Sequence, residues 1–171
     1  MRTGQNFIAL YVLLAVCQIV LCNYAHLGAY LMLTILPAMV LCIPLTVSTP
    51  LCMMIAFISG LSVDWLSEGL IGINAAAVLP VALLRNSFIR IFLGEDIINR
   101  KDSFSVRKNG VGKISIVLMA ATMVFLAIYI FLDGAGTRPF WFCFARFAAS
   151  LAANTILGFV VIEALTPDDR K

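Results

Sequence analysis

The sequence predicts an all-α, polytopic membrane protein with about six transmembrane helices in a single domain. Three observations predict this class: the composition, the lengths of the apolar runs and the placement of basic residues. Apolar residues make up 62% of the 171 residues and charged residues 12%, whereas soluble domains have roughly 45–50% and about 25%. A soluble domain of this size buries only about 70% of the surface that its unfolded chain exposes. The remaining surface of so apolar a chain would be largely apolar, so this composition favours lipid as the solvent.

The apolar runs define six predicted spans. A helix needs about 20 residues to cross a hydrocarbon core about 30 Å thick. The runs lie at residues 7–22, 27–43, 51–66, 70–84, 114–132 and 140–162. The fourth run is short, and we expect the side chain of Arg85 to reach from its end towards the lipid headgroups. We expect the first run to be a retained helix, because bulky residues precede Cys17 and Cys22 and a second apolar run follows closely.

Basic residues fall mainly on one side of this topology. The connection at 85–113 carries more positive than negative charge, while Arg138 is the one basic residue in a predicted outer loop. The positive-inside rule therefore predicts a multi-pass protein with both termini in the cytoplasm. The basic residues of the connection are Arg85, Arg90, Arg100, Lys101, Arg107, Lys108 and Lys113.

The same connection is a candidate contact surface. Residues 85–100 mix apolar and charged side chains, as in a helix that lies on the inner membrane interface. Four basic residues of this connection, Arg100, Lys101, Arg107 and Lys108, are predicted to contact anionic membrane lipid or an acidic partner surface. The alternative is that these charges only fix the topology.

Polar residues inside the predicted spans indicate a buried cluster. An ionisable residue near a helix centre costs about 2.5–3.5 kcal/mol on insertion scales, so such residues are expected to face protein. Arg146, Ser150 and Asn154 share one face of the last span. Asp64 and Asn74 fall at a similar depth, which predicts an ion pair between Asp64 and Arg146 that packs the helices. The alternative is a site that binds a partner or a ligand.

The sequence offers little support for cofactor chemistry. The cysteines show no Cys-x-x-Cys pair and His26 is the single histidine, so no metal site, cofactor or catalytic residue is predicted. No phosphate-binding glycine loop or nucleic-acid motif is present. One enzymatic alternative is an intramembrane aspartic peptidase that uses Asp64 and Asp133. It is weakened because Asp133 lies in a predicted loop.

One segment carries a family resemblance. The stretch AFISGLSVDWLSEGLIGINAA, from Ala56 to Ala76, resembles the signature region of the rod shape-determining protein MreD family. The sequence departs from the family pattern at two positions. Asn74 stands where the family often has histidine, and Glu68 stands where it more often has a small residue. The positions that fit the family motif are Gly60, Asp64, Ser67, Gly72 and Ala75.

The resemblance implies a function and a fold. It implies a non-enzymatic component of the bacterial cell-shape and lateral peptidoglycan synthesis complex, located in the bacterial inner membrane. Its partners would be MreC, MreB, and RodA with its transpeptidase partner. The family's fold is similar to that of the substrate-binding subunits of vitamin transporters, so the alternative function is the binding subunit of a small-molecule transporter.

Overall fold

The computed structural model describes residues 2–24, 31–68, 71–94, 110–134 and 138–165, and these residues are helical except for short connections. A five-residue π-helix, Asp64–Glu68, continues the third helix. The α-helices are α1 (Arg2–Tyr24), α2 (Leu36–Cys42), α3 (Thr49–Val63), α4 (Ile73–Leu93), α5 (Val111–Gly134) and α6 (Phe140–Leu165).

Five of these helical segments are long and apolar enough to cross a membrane. They are Phe7–Tyr24, Thr49–Ser67, Ile73–Leu93, Val111–Gly134 and Phe140–Leu165. The predicted class, an all-helical chain compatible with a multi-pass membrane protein, is confirmed at this level. The predicted span at 70–84 corresponds to α4, which begins at Ile73 and continues nine residues further than expected, to Leu93. Residues 85–93 thus belong to α4 rather than to a separate interfacial helix.

The second predicted span, 27–43, is wrong as a continuous helix. Residues 31–35 are not helical, and α2 has only seven residues, all of them buried. Two prolines set its limits. Pro37 lies in the first turn of α2, where its missing N–H costs nothing. Ile43 precedes Pro44 and has φ −56° and ψ 133°, the extended conformation that a following proline favours. Residues 25–30 lie outside the described residues.

Specific contacts fix the directions of the helices. Tyr11 contacts Ser59 and Asn23 contacts Leu66, so α1 and α3 run parallel. Helix α4 runs antiparallel to α3, since Asn86 bonds to Thr49 while Ala75 lies against Gly60. Helices α5 and α6 form an antiparallel hairpin in which Gly158 lies against Leu118.

The two ends of the bundle can therefore be named. We call them the Asp64 end and the Thr49 end. Because α1 and α3 are parallel, the segment between them must return from the Asp64 end to the Thr49 end. Helix α2 lies on this return path in the centre of the core, where it contacts all five other helices. Helix α1 is the most peripheral, and it exposes Ile8, Val12, Leu13, Val16 and Val20.

Candidate functional site

The carboxylate of Asp64 lies at the start of α4 and is fully buried. Its Oδ1 accepts hydrogen bonds from the backbone N–H and the side-chain Nδ2 of Asn74, both at 3.0 Å. Its Oδ2 accepts from the N–H groups of Gly72, at 3.0 Å, and Ala75, at 3.1 Å. These N–H groups have no partner within the helix, and the helix dipole there favours negative charge. Asp64 thus caps α4 from the preceding helix.

The two glycines of the family motif, Gly60 and Gly72, bring α3 and α4 close enough for this cap. A Cβ atom on Gly60 would lie 2.7 Å from the Cα of Ala75, so only glycine permits the crossing of α3 and α4. Gly72 has φ 105° and leads into α4 in the left-handed region. Ser67, in the π-helix, donates to the backbone oxygen of Val63, the last residue of α3. Gly60, Asp64, Gly72 and Ala75 therefore meet in one joint, which we call the α3–α4 joint.

The predicted pairing of Asp64 with Arg146 is wrong. Nη1 of Arg146 donates instead to Oδ2 of Asp133, and its guanidinium lies 5.9 Å from the ring centre of Tyr129. The reason is the α5–α6 hairpin, which places Asp133 and Arg146 opposite each other across the turn. Equal depth in the bundle did not identify the partner, because the nearer hairpin neighbour takes the guanidinium.

The face of α6 that carries Ser150 and Asn154 packs inside the protein, as predicted. Both residues are buried, and both bind the non-helical backbone before α2. Ser150 Oγ accepts from the N–H of Met32 at 2.9 Å. Asn154 Nδ2 donates to the oxygen of Met32 at 2.9 Å, and its Oδ1 accepts from the N–H of Thr34 at 2.8 Å. One side-chain amide thus replaces the partner that a neighbouring strand would supply.

Gln18 of α1, which the sequence analysis missed, serves the opposite edge of the same segment. Its Oε1 accepts from the N–H of Ile35 at 2.7 Å, and its Nε2 lies 3.4 Å from the oxygen of Leu33. Asn154 binds backbone groups of Met32 and Thr34, whereas Gln18 binds those of Leu33 and Ile35. Residues 31–35 are therefore held between two amides, Gln18 and Asn154, which we call the amide latch. The available signal was a glutamine inside the apolar run at 7–22.

Arg85 is buried rather than directed to the headgroups, so that prediction is wrong. It is 2% exposed, and its Nη1 and Nη2 donate to Cys52 Sγ at 3.1 Å and to the oxygen of Pro44 at 3.2 Å. These bonds attach the loop after α2 to α4 at the Thr49 end. Because α4 continues past Arg85, the side chain lies inside the bundle.

The remaining predicted residues fall elsewhere. Arg100, Lys101, Arg107 and Lys108 lie outside the described residues. Within the described ranges, His, Cys, Asp and Glu side chains form no group of three that could hold a metal ion. The five residues of the predicted polar cluster thus belong to three separate contacts. Asp64 and Asn74 lie in the α3–α4 joint, Arg146 lies at the α5–α6 turn, and Ser150 and Asn154 bind the segment 31–35.

Comparison of the chain with protein-family models, curated proteins and solved structures returned no match.

Proposed function

We propose that this protein is a non-enzymatic component of the bacterial lateral peptidoglycan synthesis complex, similar in role to the MreD family. In this role it holds MreC, MreB, RodA and the transpeptidase partner together at the inner membrane. The observation that supports the proposal is the α3–α4 joint. The residues that carry the family resemblance pack two helices together, which is a structural role rather than a catalytic one.

The bonding of the acidic residues supports a non-catalytic role. A catalytic aspartate pair shares a proton between two adjacent carboxyl groups. Both oxygens of Asp64 are occupied by N–H donors of Gly72, Asn74 and Ala75, while Asp133 pairs with Arg146 and Arg138. The two aspartates therefore have different partners, which disfavours a peptidase that would use them together.

We further propose that the chain crosses the inner membrane six times, with both termini in the cytoplasm and the Asp64 end facing outward. The parallel arrangement of α1 and α3 supports this topology, because the chain between them must return to the other end of the bundle. The second crossing would then be the non-helical residues 31–35 followed by α2. Non-helical backbone is tolerated at membrane depth where protein groups satisfy it, and the amide latch supplies those groups.

The discontinuous second crossing also favours one alternative, the substrate-binding subunit of a small-molecule transporter. Transporters place broken helices at their substrate sites near the middle of the bilayer. Here, however, the backbone groups of Met32, Thr34 and Ile35 already bind side chains of α1 and α6. A ligand would have to displace these bonds, so scaffolding remains the better-supported function.

Affinity capture in the native host tests the proposal. The protein is tagged at its chromosomal locus and solubilised in mild detergent, with an unrelated multi-pass protein of equal abundance and the same tag as the control. We expect MreC and RodA to be enriched with the protein and not with the control. Equal recovery of these partners in both samples would contradict the scaffold function, and a small molecule that co-purifies stoichiometrically would favour the transporter.

A further inference from the structure

The α5–α6 turn at the Asp64 end carries more positive than negative charge. Arg146 donates to Oδ2 of Asp133, and Nη2 of Arg138 lies 3.9 Å from the same oxygen. The three residues between Gly134 and Arg138 are uncharged. One carboxylate therefore faces two guanidinium groups, and this cationic turn (Asp133, Arg138 and Arg146) has a net charge of about +1.

The cationic turn also has hydrogen-bond donors to spare. A guanidinium carries five N–H donors in a planar fork that suits phosphate. The Nε of Arg146 is buried and has no hydrogen-bond partner among the residues that the structure describes. The side chain of Arg138 is 41% exposed, and among the described residues its ionic contact is the long one to Asp133. Arg138 is thus the group that an outside anion can reach.

Exposed aromatic rings surround the same turn. Phe140, Trp141 and Phe144 are 79%, 78% and 54% exposed. The ring centre of Phe144 lies 6.5 Å from that of Phe140 and 6.3 Å from that of Trp141, and Arg138 lies 5.3 Å from the ring centre of Phe142. Aromatic rings at the end of a membrane helix lie at headgroup level. The guanidinium of Arg138 and a large apolar surface thus lie at the same end of α6, at the depth of lipid phosphates.

We propose that the cationic turn binds the phosphate of an anionic phospholipid through Arg138, with the acyl chains against Phe140, Trp141 and Phe144. This site is separate from the scaffold function and does not depend on it. A lipid fits both parts of the surface, because its phosphate pairs with the guanidinium and its chains cover the rings. A free phosphate would use only the arginine and leave the aromatic surface exposed.

Native mass spectrometry of the purified protein in detergent tests this site. Phosphatidylglycerol or phosphatidylcholine is added at equal concentration, and bound lipid is counted. We expect phosphatidylglycerol to be retained in preference, and Arg138→Gln to lower its retention about fivefold, as removal of one arginine near an anionic headgroup should. Lys113→Gln is the matched control, because Lys113 is an exposed cation at the other end of α5.

Further variants and a soluble competitor separate the remaining outcomes. Trp141→Ala keeps every charge and should lower phosphatidylglycerol retention through the lost apolar contact. Equal losses in Arg138→Gln and Lys113→Gln would overturn the site, since the effect would then be general charge. Equal retention of both lipids would overturn the preference for anionic lipid. Displacement of the lipid by equimolar glycerol 3-phosphate would overturn the lipid assignment in favour of a free phosphate.

Discussion

Oδ1 of Asp64 accepts two hydrogen bonds from a single residue, Asn74, one from its backbone N–H and one from its side-chain amide. The pair links the end of α3 to the first turn of α4, and no cation among the described residues forms an ion pair with Asp64. A buried carboxylate ordinarily needs a positive partner. Here four N–H donors and the positive end of the α4 dipole take that place. The α3–α4 joint thus holds a charge that lipid would not tolerate.

Asp64 and Arg146 should contribute independently to stability, because they share no partner. Asp64→Ala leaves buried N–H groups of Gly72, Asn74 and Ala75 without an acceptor, and should lower the free energy of unfolding by about 3 kcal/mol or more. Adding Arg146→Ala should give the sum of the single losses to within about 0.5 kcal/mol. The measurement is unfolding of the purified protein in mixed micelles.

The matched control for this additivity is the pair that does touch. Asp133→Ala and Arg146→Ala should be non-additive, since either change alone breaks the same bond. If loss of Arg146 rescued the stability of Asp64→Ala, the result would support the ion pair between Asp64 and Arg146 that the sequence predicted. It would contradict the assignment of Asp133 as the partner.

Gly60 should not accept even a methyl group. A Cβ atom there would lie 2.7 Å from Cα and 2.8 Å from N of Ala75, and backbone atoms cannot move aside as a flexible side chain can. Gly60→Ala should therefore cost about 1–3 kcal/mol. Gly112→Ala is the control, because nothing lies within 4 Å of its added Cβ in α5. A loss no larger than in Gly112→Ala would mean that the helices can separate freely at the α3–α4 joint.

The amide latch predicts that the buried Asn154 contributes more to the free energy of unfolding than the exposed Asn23. Asn154→Leu keeps the size of the side chain but leaves the oxygen of Met32 and the N–H of Thr34 unsatisfied. We expect a loss of about 2–4 kcal/mol. Asn23→Leu, at an exposed site on α1, loses a hydrogen bond to the oxygen of Leu66 that water can replace, and should cost about 1 kcal/mol or less. Thermal unfolding in detergent compares the two, and equal midpoints would show that residues 31–35 do not depend on α6.

The basic residues outside the described part of the chain give a prediction about partners. Neutralising Arg100, Lys101, Arg107 and Lys108 together should reduce capture of MreB or MreC if these residues form a contact surface. The topology, measured by cysteine labelling, and the abundance, measured by immunoblotting, should stay as in the unchanged protein. Unchanged capture would leave these charges with a role in topology alone.

The sequence predicted most helices because hydrophobic run length depends on local composition. It failed where the outcome depends on distant partners. Pro80 lies inside α4, whereas Pro37 stands at the start of α2, so a proline alone does not tell an interrupted span from a continuous one. What separates them is Gln18 and Asn154, which satisfy the backbone before Pro37 from two other helices. No local pattern connects residues so far apart in sequence.

The candidate site was predicted in the same uneven way. Asp64 and Asn74 were correctly placed together because they flank one short connection. The partner of Arg146 was wrong because depth in the membrane limits the choice but does not make it. The burial of Arg85 could be recognised only once α4 was seen to continue to Leu93.

Depletion of the protein in its native host, followed by microscopy and growth in defined medium, tests whether this bundle serves cell shape. Re-expression of the unchanged chain is the control, and membrane levels of MreC are monitored in parallel. We expect cells to round and swell as the protein falls, in rich and defined medium alike. Cells of normal shape that grow only when a particular nutrient is supplied would contradict the scaffold function and indicate a transporter subunit.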